Sequence, residues 1–395
     1  MKSIIYHLSA ILLTLASFTS SRAESPENVA LRILESDPSM QSLYLDNEAL
    51  KEALKTEANL PDPEIEGEYL FAPAGETNRW GAGLSWGLEW PGVYSARRNV
   101  NAGKIMVAEA GANMIKRERL IEIKRLLLDY VLQEKQLELL KNVNSVNDSI
   151  MTLAANAERG GEMTKIDLNK LKLERASLNS QIAEIMSGRE ETVSSLSSIY
   201  GGDCSALLKG MNCDFPALDP PSMNDGENYT ELRESRDEAH AEAEAAIKEE
   251  KAASMESLPG ISIGYQHAFE EGIHFNGASL GISIPLFSSR NKKKAAKAAT
   301  VAATHKAEAA KIAASEKIKG GLKRLSLLKN RIDEIRPILE DSGNNLLLMK
   351  AYKGGVITLI DYLNERNYFK QAGLDLLTLR YEAASTLLDL QQISD

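Results

Sequence analysis

The chain has 395 residues, of which 43% are apolar, 26% charged and only 6% aromatic. A formal net charge of −10 argues against a nucleic-acid partner, and five His with two Cys leave little material for a structural metal site. Beyond the N-terminal segment no apolar run reaches the roughly 18–20 residues that a transmembrane helix needs.

Residues 1–23 begin with Lys2, continue through a short apolar stretch from Ile4 to Phe18 and end in the small residues Ser20, Ser21 and Ala23. That pattern reads as a Sec-type signal peptide cut after Ala23. The rest of the chain would then meet an oxidising compartment, where Cys204 and Cys213 either close a short disulfide loop or remain two free thiols.

Two segments repeat each other. Arg159-Gly160-Gly161 with Thr164, Ile166 and Asp167 aligns without gaps on Lys353-Gly354-Gly355 with Thr358, Ile360 and Asp361. Leu60-Pro61 recurs as Leu258-Pro259, and Gly83-Leu84-Ser85 as Gly281-Ile282-Ser283. The expected layout is therefore a first repeat over 24–200, a linker over 201–224 holding both cysteines, and a second repeat over 225–395. Each repeat reads as helix, β-hairpin, long helix, Gly turn and helix.

Strands are expected near 63–72 and 79–90, and again near 260–269 and 274–287. In the second of these, Trp80, Ala82, Leu84, Trp86, Leu88 and Trp90 occupy every other position, with Gly81, Gly83, Ser85, Gly87 and Glu89 between them. Ile65, Tyr69 and Phe71 alternate with Glu64, Glu66 and Glu68, and Ile261, Ile263 and Tyr265 alternate with Ser262, Gly264 and Gln266. Period-2 alternation over about 10 residues with aromatics at the ends is the pattern of a membrane-spanning β-strand, although a half-buried soluble sheet gives it too. Two hairpins cannot cover their own apolar faces, and open edges do not sit in lipid, so closure of a barrel requires several copies. Three copies would supply 12 strands.

The long helices are expected over 91–157 and 287–352, each about 100 Å at 1.5 Å per residue. Half-length helices are expected over 28–59, 164–200, 225–257 and 358–390. Leu120, Ile123, Leu127, Tyr130 and Leu137 fall on heptad a/d positions, as do Leu325, Leu328, Ile332, Ile335 and Leu339. Pro337 should kink the second long helix.

Enzymatic features are missing from the pattern: there is no Gly-rich phosphate loop and no nucleophile paired with a base. His240, His267, His274 and His305 look scattered and suggest no composite site, and nothing points to a cofactor.

Taken together, the duplicated order, the Leu60-Pro61-Asp62-Pro63 entry and Trp90-Pro91-Gly92 exit of the first hairpin, and the Tyr352-to-Asp361 tip motif resemble the TolC family of outer-membrane efflux proteins. The stretch at 90–98 looks like the heavy-metal and multidrug branches of that family. The resemblance implies a mainly α chain with a membrane β-barrel, forming a homotrimer whose 12-stranded barrel in the outer membrane sits on an α-helical barrel crossing the periplasm. It implies docking onto a periplasmic membrane-fusion adaptor and an inner-membrane pump, with Gly160, Gly161, Gly354 and Gly355 as tip turns and adaptor surface. Asp167 and Asp361 match the gate positions and would form rings of carboxylates in a trimer, while a carboxylate there also complements a helix dipole. The family's tip arginine is Ile357 here, its further aspartate is Asn364, and a polar threonine is Ile166, so closing contacts would rest more on Ile166, Ile357 and Ile360. Trp80, Trp86, Trp90, Tyr69 and Tyr265 are the expected aromatic belt against outer-membrane lipid. Arg97, Arg98, Arg290 and Lys292 to Lys294 stand just past the strand ends, where they meet anionic head groups or simply begin solvated helices. A channel specific for heavy-metal cations, or a periplasmic coiled-coil adaptor that is no channel, are the alternative functions.

Overall fold

In a computed structural model, the structure describes residues 24–161, 163–218, 233–285, 287, 290–340 and 343–394. The signal segment 1–23 and Pro220 and Pro221 of the linker lie outside the described residues. Helices α1 (Pro26–Ser36) and α2 (Pro38–Thr56) precede strands β1 (Glu64–Leu70) and β2 (Arg79–Leu88), then α3 (Pro91–Arg159), α4 (Lys165–Tyr200) and the short α5 (Ser205–Gly210). The order continues with α6 (Arg233–Met255), β3 (Gly260–Glu270), β4 (Ile273–Ser283), α7 (Lys292–Glu340), α8 (Gly343–Lys353) and α9 (Leu359–Ser394).

Two departures from the expected helices lie at or near prolines. The helix expected over 28–59 is broken at Asp37, whose backbone is extended (φ −65°, ψ 115°) because Pro38 disfavours the helical conformation of the residue before it. Pro38 then opens α2. In the second long helix, α7 continues through Pro337 and ends three residues later at Glu340.

The chain divides into two compact units, each built from residues of both halves of the sequence. One comprises 38–121, 217–333 and 382–395 and contains the sheet. Its strands run in the order β1-β2-β3-β4, all antiparallel, so the two hairpins join through β2 and β3 and leave β1 and β4 as edges. The register pairs Trp80 with Phe269, Leu84 with Tyr265 and Trp86 with Ile263. Beside the sheet, α2 is tied to α3 by Asn101, whose Nδ2 donates to Leu54 O at 2.6 Å, and by Lys51–Glu109 and Lys104–Glu57 ion pairs. Gly103 of α3 lies against Ala245 of α6, where an added Cβ would stand 3.2 Å from Ala245 Cα. Thr300 of α7 donates to Ala246 O of α6 at 3.1 Å. Leu325, Leu328 and Ile332 are buried, as the heptad reading required.

The other unit comprises 24–37, 122–216 and 334–381 of the described chain. Its core holds Val29, Ala30 and Ile33 of α1, Ile123, Leu127, Leu137 and Leu140 of α3, and Leu196 of α4. Of the predicted a/d residues of α3, Ile123, Leu127 and Leu137 are fully buried, with Leu120 and Tyr130 half-buried. Arg189 of α4 bonds Glu134 of α3 at 2.8 Å, and Gln133 donates to Thr192 Oγ1 at 3.1 Å.

Candidate functional site

Pleating sorts the sheet's side chains onto two faces. One carries Ile65, Tyr69, Trp80, Leu84, Trp86, Ile263, Tyr265, Phe269, Leu280 and Ile282, so it is apolar except where His267, His274 and Asn276 stand near the β3–β4 turn. The other carries Glu64, Glu66 and Glu68 opposite Ser85, Gly83 and Gly81, followed by Gly264, Gln266 and Ser279. Nothing among the described residues covers the apolar face: Ile65 is 84% exposed, Leu280 76%, Ile282 68%. Trp80, Tyr69, Tyr265 and Trp90, all expected in the aromatic belt, are exposed too. Tyr69, Trp80 and Phe269 stand side by side near the hairpin ends, with the Trp80 and Phe269 rings stacked 6.1 Å apart. Trp86 and Trp90 mark the opposite end, and Trp86 Nε1 donates to Pro61 O at 2.7 Å. Among the described residues no helix is long and apolar enough to cross a membrane.

At the strand–helix junctions, Arg97 pairs with Glu89 at 2.8 Å and Lys292 with Glu256 at 2.9 Å. Arg98, Arg290, Lys293 and Lys294 are exposed.

The two Gly-Gly turns belong to one unit and close in the same way. Gly161 (φ 75°) and Gly355 (φ 69°) adopt left-handed backbone, which only glycine reaches without strain, whereas Gly160 and Gly354 do not. After each turn a threonine caps the returning helix. Thr164 Oγ1 accepts from Asp167 N at 3.1 Å and donates to Asp167 Oδ2 at 2.6 Å. Thr358 Oγ1 accepts from Asp361 N at 3.2 Å and donates to Asp361 Oδ2 at 2.7 Å. In both tips the Thr-x-x-Asp spacing closes the turn through the threonine hydroxyl, and in the second tip Thr358 N also donates to Asp361 Oδ2 at 3.2 Å, which completes a capping box. Lys170 adds a contact to Asp167 at 3.6 Å.

The isoleucines separate. Ile357 packs against a core of Ile150, Ala154, Leu168, Leu171, Tyr362 and Leu363, whereas Ile166 is 69% exposed and Ile360 is exposed as well. Sequence reasoning missed the ring pair at the centre of that core, Tyr352 and Tyr362 at 5.4 Å, with the Arg366 guanidinium 5.6 Å above Tyr362. Arg366 also donates to Val143 O of α3 at 3.1 Å.

The hydroxyl of Thr358, and then its backbone N–H, hold the Asp361 carboxyl below the ordinary carboxylate range. A carboxyl depressed on folding stabilises the folded state above its unfolded pKa of about 3.9, and that contribution disappears as pH falls through the lower folded value. Acidification below about pH 4 should therefore fray the start of α9, seen as faster amide exchange at Tyr362 and Leu363 than in an Asp361→Asn variant compared with its own neutral-pH rate.

Of the two states open to Cys204 and Cys213, the structure has the free thiols and not the disulfide. Cys204 is fully buried with Sγ 3.2 Å from Ser197 Oγ of α4, while Cys213 stands half-buried near Glu134 and Lys135 of α3. The loop directs the two sulfurs to different helices. Burial, reinforced by the charge of Glu134, pushes the Cys213 thiol up to about 11, which keeps it protonated and slow to react at neutral pH. Denatured without reductant, the protein should take up two alkyl groups by mass; an uptake of none would restore the bridge.

His240, His267, His274 and His305 are not all scattered. His240 and His305 lie on helices near Glu244 and Glu308, but the β3–β4 register brings His267 and His274 together on the apolar face. The available signal was their placement seven residues apart across a Glu271-Gly272 turn. Among the described residues no group of three or more His, Cys, Asp or Glu side chains converges as a metal centre.

No protein-family model matches the sequence, and no curated protein does. Solved structures match over nearly the whole chain. A membrane protein from Pseudomonas aeruginosa does so with a TM-score of 0.77 at 15% identity, covering 95% of this chain and 95% of its own. The CmeC outer membrane channel of Campylobacter jejuni gives 0.76 at 14% identity, over 93% of this chain and 85% of that one. The MtrE outer membrane channel of Neisseria gonorrhoeae, in its open state, gives 0.75 at 17% identity, over 95% and 93%. The chain has the fold of TolC-family outer-membrane efflux channels, as the sequence resemblance implied.

Proposed function

We propose that the chain is one protomer of a trimeric outer-membrane channel that passes solutes out of the periplasm as the exit duct of an efflux system. The observation that carries this reading is the four-stranded sheet with two unpaired edges and an uncovered apolar face rimmed by aromatics. Unpaired edges and bare apolar surface are unstable in water, and lipid does not tolerate open edges, so β1 of one copy pairs with β4 of the next until three copies close a 12-stranded wall. The apolar face then meets lipid, and the Glu64, Glu66 and Glu68 face lines the lumen. Two internal repeats supply the hairpins, and the helices continue the duct as an α-barrel through the periplasm.

A duct of this kind needs no catalytic group; it needs a resting end that closes. The tips at Gly160-Gly161 and Gly354-Gly355 form that end and the docking surface for a periplasmic adaptor, behind which an inner-membrane pump delivers the solute. Asp167 and Asp361 act there by holding each turn rigid through their bonds to Thr164 and Thr358 and by presenting carboxylates around the three-fold axis, which favour cations over anions. Ile166 and Ile360, exposed in the single chain, pack against their copies across the axis.

The test is assembly together with transport. The purified protein should migrate as a trimer without boiling and conduct ions in a planar bilayer, and deleting it should sensitise cells to at least one of metals, detergents or antibiotics. A monomer that stays in the aqueous periplasmic fraction would refute the proposal.

A further inference from the structure

The apolar face of the sheet has one polar interruption, and it is built. Tyr265 OH donates to Asn276 Oδ1 at 2.7 Å, and His267 Nδ1 lies 2.8 Å from the same oxygen, which only accepts, so His267 carries its proton on Nδ1. His267 Nε2 is thereby left as a lone-pair donor, and His274 Nδ1 stands 3.2 Å from it. The turn between the strands fixes this pairing. Glu271 (φ 52°) and Gly272 (φ 84°) both take the left-handed backbone of a two-residue type I′ hairpin, which sets Phe269 opposite His274 and His267 opposite Asn276. The rings of Trp80, 5.4 Å from His267, and of Phe269, 4.9 Å from His274, pack against the pair. Ala82 and Gly67 continue the same row across the sheet and leave open space beside it.

We propose that His267 and His274 form a binding site for a late first-row divalent cation, Cu2+ in preference to Ni2+ or Zn2+. Metal–imidazole bonds of about 2.0–2.1 Å to two nitrogens 3.2 Å apart subtend about 100° at the metal, between the square and tetrahedral values. The hydrogen bond from His267 Nδ1 to Asn276 is the arrangement that fixes the tautomer of a metal-bound histidine, and Tyr265 in turn orients the amide. His274 moves its proton from Nδ1 to Nε2 to present its lone pair, so the pair stays neutral and no net proton is lost. Water completes the coordination, and copper leads because affinity at imidazole sites peaks there. Glu270 and Glu271 each stand three residues from one histidine, but Glu270 falls on the other face and pairs with Arg79 at 3.7 Å, and among the described residues no third His, Cys, Asp or Glu joins the pair, so the nitrogens alone select the ion. The site lies on the face away from Glu64, Glu66 and Glu68 and close to the β3–β4 turn, so in the proposed barrel it sits at the rim of the lipid-facing wall, where water reaches it.

Cu2+ added to the purified full-length protein should bind at one equivalent per chain, with nitrogen coupling from two imidazoles in the electron paramagnetic resonance spectrum. Asn276→Ala should weaken binding about 10- to 100-fold, the usual cost of losing an outer-shell partner. The double variant His267→Gln, His274→Gln should lose the two-nitrogen signal, while His240→Gln with His305→Gln should keep it. These side chains project from an uncovered face, so circular dichroism of the variants should match the parent, and it is recorded on the same samples. A two-nitrogen signal that survives in the folded double variant, or no such signal in the parent protein, overturns the assignment.

Discussion

Leu84→Arg is expected to abolish the membrane-inserted trimer, while Glu66→Arg leaves it intact. Leu84 lies in the middle of β2 and faces the apolar side, between Ile65 on β1 and Tyr265 on β3. An arginine at the bilayer midplane on the lipid side of a barrel costs about 2–4 kcal/mol, and a trimer carries that cost in each copy. Glu66 pairs with Gly83 on the opposite face, which lines the lumen of the proposed barrel, so a change of charge there leaves the lipid-facing wall untouched. The measurement is the trimer band of membrane fractions run without boiling. The rival reading, a periplasmic protein with a half-solvated sheet, makes the opposite forecast. Leu84 is 48% exposed in the single chain, and an arginine at such a surface position in water shifts stability by no more than about 0.5 kcal/mol. Equal trimer yields from both variants would therefore remove the lipid-facing assignment.

Much of this was readable because it rests on short periods. Alternation in 79–90 placed Trp80, Leu84 and Trp86 on one face before any register was known, and the register agrees. The a/d spacing marked Ile123, Leu127 and Ile332 as core, and all three are buried. The Thr-x-x-Asp spacing at 164–167 and 358–361 was legible as two aligned turns, yet its hydrogen bonds change the weight given to each aspartate, since a carboxylate already satisfied by a cap is less available to a partner. What escaped depended on register and on partners distant in sequence. His267 and His274 meet only because a two-residue turn folds one strand back on the other. Cys204 and Cys213 lie near each other in sequence, but α4 and α3 capture them separately. The Tyr352, Tyr362 and Arg366 stack draws on α8, α9 and the carbonyl of Val143, a combination that no local pattern encodes.

In the proposed channel, that stack bears on how the tip stays closed. If rings of Asp167 and Asp361 were the main restraint, removing a carboxylate would open the duct most. The geometry favours the buried core instead, because both aspartates spend their bonds within their own turns while Tyr362 is only 2% exposed among Ile150, Leu168 and Leu171. Replacing a buried aromatic by alanine costs about 3–5 kcal/mol, whereas losing a helix cap costs about 1 kcal/mol. Tyr362→Ala should therefore raise amide exchange at Leu348 and Met349 at least about a hundredfold and lift single-channel conductance well above that of Asp361→Ala. Tyr362→Phe, which keeps the ring between Tyr352 and Arg366, should stay near the parent protein in both readings. If Asp361→Ala opens the channel as far as Tyr362→Ala does, carboxylate rings and not the aromatic core hold the end shut.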